Sequence, residues 1–146
     1  LRGGTENIAG IVGMGLAAKL AAQNQKHCCS HLRSLEEYFL KKLKSNIPIV
    51  KRNGNPDNCL PGLISISFPG YRSDILMAKL DRKKIAVSNG SACNTGNIKP
   101  SDVLKEMGIK DDINLSTLRI SFGRDNNVKE VDQLLAALNE IIWEIQ

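Results

Sequence analysis

Aromatic residues are nearly missing from this chain of 146 residues: three Phe, two Tyr and one Trp make up 4% of it. A core built from such a sequence has to rest on Leu, Ile, Val and Ala. The twenty Lys and Arg are spread along the chain without interleaved aromatics, which argues against a dedicated nucleic-acid surface. No apolar run approaches the roughly 20 residues needed to cross a bilayer, and no signal peptide is evident. The four cysteines include the adjacent pair Cys28-Cys29, a spacing unlike a secreted disulfide framework. A reducing, cytoplasmic compartment is expected instead. What remains is enough chain for one domain with a sizeable core, at an ordinary 42% apolar content.

The apolar pattern predicts mostly helix and short strand. Ile8, Ile11, Val12, Leu16 and Leu20 make one stripe over 8–23, with Thr5 or Asn7 as cap. Gly10, Gly13 and Gly15 weaken that helix and would suit a backbone packed close by. Leu32, Leu35, Phe39, Leu40 and Leu43 make a second stripe over 30–44, with Arg33, Glu36, Glu37, Lys41 and Lys42 on its other side. Nothing strong separates the two, so they read either as two helices or as one long bent rod, ending at Asn46 and Pro48. Ile47–Val50 reads as a short strand and Asn53-Gly54-Asn55-Pro56 as a turn. Leu63–Phe68 alternates strictly, as a strand with one buried face does.

A helix over 73–82 with Ser73 as cap follows, then a short strand at Ile85–Val87. Pro100, Ser101 and Asp102 open another helix that stops at Gly108. Leu118–Gly123 is a further alternating strand. The last helix is read from Val128, Val131, Leu134, Leu135, Leu138, Ile141, Ile142 and Ile145, started by a capping box of Asn127 and Glu130. The sum is an α/β or α+β arrangement, a small sheet with helices against it.

One stretch fits neither core nor ordinary turn. Cys93 lies in SNGSACNTG, amid small and polar residues, although free cysteine usually behaves as a buried hydrophobe. A rival signal is His27-Cys28-Cys29-Ser30-His31, whose histidines stand four apart, as on a helix face that can bind Zn²⁺ or Ni²⁺. No second ligand pair at the usual spacing accompanies it. Cys59, beside a turn and a Pro-Gly pair, reads as structural or incidental.

Taken together, LRGGTEN at the start, LPGLISISF, SNGSACNTG and LRISFGRDN resemble, in order and separation, the C-terminal part of a cysteine desulfurase. That family belongs to the pyridoxal-phosphate enzymes of the class V aminotransferase type. The resemblance runs from Arg2 to about Ile142. It implies a mixed or antiparallel sheet packed with helices, residues 1–25 as the end of a large domain with the start of a connecting helix, and residues 26–146 as the small domain. It also implies that pyridoxal phosphate acts as electron sink while the loop thiolate takes the sulfur of L-cysteine. Alanine leaves, and the persulfide passes to a sulfur acceptor or scaffold protein.

Residue by residue, Cys93 matches the nucleophile and Arg119 the arginine that grips the substrate carboxylate, a task suited to a planar fork. Thr5 matches a threonine that reaches the cofactor phosphate of a neighbouring subunit, which implies a homodimer. Arg124 is a weaker candidate. The loop length fits the long-loop branch of the family, which favours delivery to scaffold-type acceptors. The family's Schiff-base lysine falls upstream of this stretch, so the polypeptide is expected to bind little cofactor alone and turn over no cysteine. Two alternatives stay open: a selenocysteine lyase of the same fold, and a non-catalytic sulfur-carrying or metal-binding module.

Overall fold

The computed structural model describes residues 3–89 and 99–145. The two helical stripes are one rod, α1 (Ile8–Asn46), 39 residues long. Asn7 caps it, its Oδ1 accepting from the Gly10 N–H at 3.0 Å. Thr5 is therefore not the cap. The helix stops at Asn46, where the Ile47 N–H closes the last turn on the Leu43 carbonyl and Pro48 follows. An added Cβ at Gly13 or Gly15 would meet nothing within 4 Å, so no backbone packs against them among the described residues. The stripe from Ile8 to Leu20 is exposed as well. Every described residue from 3 to 27 is exposed, and burial begins at Cys28.

Among the described residues four strands follow, interleaved with helices: β1 (Lys51–Arg52), β2 (Leu63–Ser67), β3 (Ser88–Asn89) and β4 (Thr117–Ser121). They form an antiparallel sheet in the order β1-β2-β4-β3. Two short strands sit later than the sequence suggests. Ile47 and Val50 are taken up by a tight turn, with the Val50 N–H on the Ile47 carbonyl, so pairing starts at Lys51. Ile85 closes the end of the preceding helix on Leu80, which moves β3 to Ser88. The helices α2 (Ser73–Arg82), α3 (Asp102–Glu106), α4 (Asp111–Asn114) and α5 (Val128–Ile145) complete the chain. Ser73 is inside α2 rather than capping it: Arg72 holds the cap position, and Ser73 Oγ donates to the Leu115 carbonyl at 2.7 Å.

Strand alternation sorts the sheet into two faces. Ile64, Ile66, Leu118 and Ile120, all 3% exposed or less, face Leu35, Phe39 and Leu43 of α1, Leu76 and Leu80 of α2, and Val131, Leu138 and Ile141 of α5. Phe39 and Phe122 meet edge to face with centroids 5.7 Å apart, which uses the scarce aromatics at the centre of the core. The capping box of α5 forms as read: the Asn127 N–H donates to Glu130 Oε2, and Asn127 Oδ1 accepts from the Lys129 and Glu130 N–H groups.

Glu36 departs from its expected place on the solvent side of α1. It is 5% exposed, and its two oxygens accept from Arg52 Nη2 and from the Gly62 N–H. The charge is tolerated inside because both lone-pair directions are met. Gly62 is obligatory there. Its φ is +77°, and a Cβ would press on Leu32 and on the Phe122 carbonyl at 3.2 Å.

Candidate active site

The second face of the sheet carries the polar half of the alternation. Ser65 and Ser88 stand opposite Arg119 on either side, and Ser67 stands opposite Thr117. Asn53, just beyond β1, donates from Nδ2 to Ser65 Oγ at 3.2 Å and to Ser67 Oγ at 2.9 Å. Ser67 and Thr117 hydroxyls pair at 2.8 Å, and Thr117 Oγ1 donates on to the Ile113 carbonyl at 3.0 Å. This chain of bonds leaves no orphan and fixes a rigid polar floor. Residues 101–116 fold over part of it, stitched by Asn114: its Oδ1 accepts from the Ser101 N–H and its Nδ2 donates to the Ser101 carbonyl, at 2.8 and 2.9 Å.

Between this floor and α3 lies a cavity of about 220 Å³, lined by Asn53, Ser65, Ser101, Leu104, Met107, Thr117 and Arg119 together with Val103. Arg119 is exposed on its strand. Among the described residues no carboxylate is within ion-pair distance of it, and none lines the cavity. An uncompensated guanidinium among neutral hydroxyls and an amide is suited to a planar anion such as a carboxylate.

Cys93 falls within residues 90–98, outside the described residues. Of the described residues near its two ends, those before it pair with the strand of Arg119 and one after it lines the cavity. Ser88 pairs with Arg119 and Asn89 with Leu118 on the near side, and Ser101 lines the cavity on the far side.

Thr5 is elsewhere. It is exposed, one residue after Gly4 at φ +113° and three before α1 begins. From Ile8 to Leu35, where α1 joins the core, the helix runs roughly 40 Å at ~1.5 Å per residue. The chain therefore does not bring its own Thr5 to Arg119. As to pyridoxal phosphate, the exposed Gly3-Gly4-Thr5 stretch offers N–H groups and a hydroxyl suited to a phosphate, and its described neighbours along the chain are exposed as far as residue 27 and do not enclose a ring. The described residues fit the phosphate end of the group and not the rest of it.

Arg124 lies apart from Arg119. It is exposed beside Asp125 at 3.3 Å and lines a separate cavity with Asn24, His27, Cys28, His31 and Asp125. His31 Nε2 is 2.9 Å from the Asn126 carbonyl. A carbonyl only accepts, so that nitrogen carries the proton and is closed to a metal. Among the described residues no group of three or more His, Cys, Asp or Glu could hold a metal ion, which leaves the His27/His31 pair without further ligands. Cys28, Cys29 and Cys59 are free thiols, and Cys59 Sγ lies against Arg52 Nη2 and the Pro56 carbonyl.

Asn53, Ser65, Ser101 and Thr117 were not singled out by sequence. The signal for Ser65 was present in the alternation of Leu63–Phe68, which sets it on the face opposite Ile64 and Ile66. Nothing local in the sequence marks Asn53, which reads only as the start of a turn.

Residues 1–134 match the family model for aminotransferase class-V, and the chain belongs to that family. Among curated relatives, it is 34% identical over 145 residues to the cysteine desulfurase IscS of Anaeromyxobacter sp. (strain K), covering 99% of this chain and 35% of the relative. It is 36% identical over 143 residues to the cysteine desulfurase IscS of Clostridium botulinum, covering 97% of this chain and 36% of the relative. A solved NifS-like protein from Rickettsia africae superposes with a TM-score of 0.83 at 31% identity, over 97% of this chain and 36% of that one. The chain spans about a third of the length of the curated relatives it matches. Among the described residues, no helix is long and apolar enough to cross a membrane.

Proposed function

We propose that this chain is the C-terminal part of a pyridoxal-phosphate-dependent cysteine desulfurase, which converts L-cysteine to L-alanine and holds the sulfur as a persulfide on Cys93. The observation that carries this reading is Arg119, without a carboxylate partner among the described residues, in a cavity that Ser101 lines after the Cys93 segment, on a strand that Ser88 and Asn89 pair with before it. The relatives named cysteine desulfurase support it, at 34% and 36% identity over nearly the whole chain.

In this reading Arg119 binds the substrate carboxylate through two parallel N–H···O bonds, and the Asn53–Ser65–Ser67–Thr117 network keeps the strand beneath it rigid. The bound cofactor supplies an electron sink. The Cys93 thiolate forms an S–S bond to the substrate sulfur as the substrate C–S bond breaks. The electron pair of that bond stays with the amino-acid carbon, which takes up a proton and leaves as alanine. The persulfide then passes to a sulfur acceptor, a scaffold for iron–sulfur clusters or another carrier, in a reducing, cytoplasmic setting suited to free thiols.

Two further assignments belong to the same reading. The onset of burial at Cys28 supports a boundary near residue 26, with residues 1–25 closing a large domain and 26–146 forming the small one. The separation of Thr5 from its own Arg119 supports a homodimer in which Thr5 reaches the cofactor phosphate of the partner's site. The ring-binding groups and the Schiff-base lysine would come from upstream sequence, so the 146 residues alone bind little cofactor and release no alanine.

The test is steady-state kinetics on L-cysteine with the protein at its natural length. Arg119→Lys keeps the charge and loses the fork. It should raise KM about ten- to hundredfold, since charge-assisted bidentate pairs are worth about 1.5–3 kcal/mol. An unchanged KM would remove Arg119 from the substrate site.

A further inference from the structure

A second concave surface lies two strands from Arg119 in the sheet order, at the edge strand β1, on the helix-covered face of the sheet. The segment KKLKSNIPIVKR, residues 41–52, holds four lysines, one arginine and no acidic residue. Its excess of five positive charges equals the formal net charge of the entire chain, +5. Arg52 turns inward and is engaged with Glu36. Lys41, Lys42, Lys44 and Lys51 are exposed, and none is within ion-pair distance of a carboxylate among the described residues. Lys42 instead lies over the Tyr38 ring, 5.7 Å from its centroid.

Between the end of α1 and β1 opens a cavity of about 250 Å³. Its walls are Leu40, Leu43, Val50 and Ile66, with Lys44 and Arg52 completing the lining. Ile49, half exposed, follows the same turn. β1 is the last strand in the order β1-β2-β4-β3, so its outer edge has no strand partner among the described residues. A lysine in the last turn of a helix also favours the helix dipole, which accounts for Lys44 alone. It accounts neither for Lys51, which its pairing with Ser67 sets on the other face of the edge strand, nor for an apolar hole beside Lys44.

We infer that this groove docks an extended acidic peptide segment of a partner protein. The segment runs along the outer edge of β1, sets one aliphatic side chain into the Leu40–Val50–Ile66 cavity with a carboxylate against Lys44 on the same face, and turns the alternate side chain, a second carboxylate, to Lys51 on the other face. Edge-strand addition supplies main-chain hydrogen bonds, the cavity selects the side chain, and the lysines select the charge. A nucleic acid is the poorer occupant, because the walls are aliphatic and the nearby ring, Tyr38, already carries Lys42. A membrane surface is poorer too, because Ile49 is a single exposed apolar side chain and not a face.

The inference is independent of the desulfurase reading and is tested without turnover. A fluorescein-labelled peptide Asp-Glu-Leu-Asp-Val-Glu, capped at both ends, is titrated with the natural-length protein at low salt and followed by anisotropy. Binding is expected. The double variant Lys44→Glu/Lys51→Glu should weaken it about tenfold or more, whereas Lys129→Glu on α5 should leave it unchanged. Val50→Phe, which fills the cavity at constant charge, should weaken it as well, with circular dichroism verifying the fold of each variant. Equal affinity in the wild type and the Lys44→Glu/Lys51→Glu variant would overturn the proposal. So would failure of the peptide to bind while oligodeoxythymidine or phosphatidylglycerol vesicles bind through the same lysines. Self-association that the double variant abolishes, or a groove closed to every probe at natural length, would equally assign it another occupant.

Discussion

Leu118, Arg119 and Ile120 are consecutive on β4, yet they do unrelated work. Leu118 and Ile120 are 0% and 3% exposed and face the helices, while Arg119 is exposed above a floor of hydroxyls and an amide. The helix-covered face is closed by aliphatic packing and one aromatic pair. Among the described residues, the opposite face is covered in part by residues 101–116, and its guanidinium has no carboxylate partner. The lesson is that the period-2 geometry of one strand separates stability from chemistry: a change on one face should be read in the unfolding curve, and a change on the other in the kinetics.

The largest expected effect lies on the kinetic side. Cys93→Ala should lower alanine formation from L-cysteine by about a thousandfold or more in the natural-length protein, as loss of a nucleophile does. Its unfolding transition should stay in place. A residual rate near that of the unaltered protein would break the assignment of the polar face to catalysis.

Phe39→Ala probes the packed face. Phe39 is fully buried against Phe122, and its truncation should cost about 3–5 kcal/mol in urea unfolding. Arg119→Ala should stay within about 0.5 kcal/mol of the parent, as exposed substitutions do, while raising KM. If Arg119→Ala destabilises as much as Phe39→Ala, the two faces are not separable in this way.

Asn127→Ala should cost about 1 kcal/mol, because the N-cap of α5 loses its acceptor. The smallest effect is a pH dependence in the same box. The side-chain amide of Asn126, and then the Asn127 N–H, hold the Glu130 carboxylate below its ordinary value. A carboxylate held low stabilises the fold above the ordinary glutamate value, and that stabilisation is lost as pH falls through the lowered one. Glu130→Gln should therefore lower the Tm slightly at neutral pH and converge with the parent at acid pH, which flattens the acid arm of the Tm–pH curve.

Much of this arrangement was legible where the pattern is long or strictly alternating. The rod of α1, the strands around Ile66 and Ile120, and α5 follow from apolar spacing, and the cap of α5 from the pair Asn127 and Glu130. The shortest elements were not legible. β1 and β3 have two residues each, and their places are set by turns at Val50 and Ile85 that precede them. α4 is four residues long and has no period to detect. Glu36 was misplaced because a helix face does not reveal that Arg52 and the Gly62 N–H will meet it from another element. In the site, Arg119 and Cys93 stood out through a resemblance of ordered motifs and not through any local rule. Asn53 and Thr117 are found only once the sheet register is known.

The most direct test is mass spectrometry of the natural-length protein after incubation with pyridoxal phosphate and L-cysteine, with the thiols alkylated before digestion. The peptide containing Cys93 should gain one sulfur atom, and that gain should vanish together with alanine release in Cys93→Ala. Extra sulfur found on Cys28, Cys29 or Cys59 instead, or alanine released at an unaltered rate without Cys93, would contradict a thiol at this position as the one that carries the sulfur.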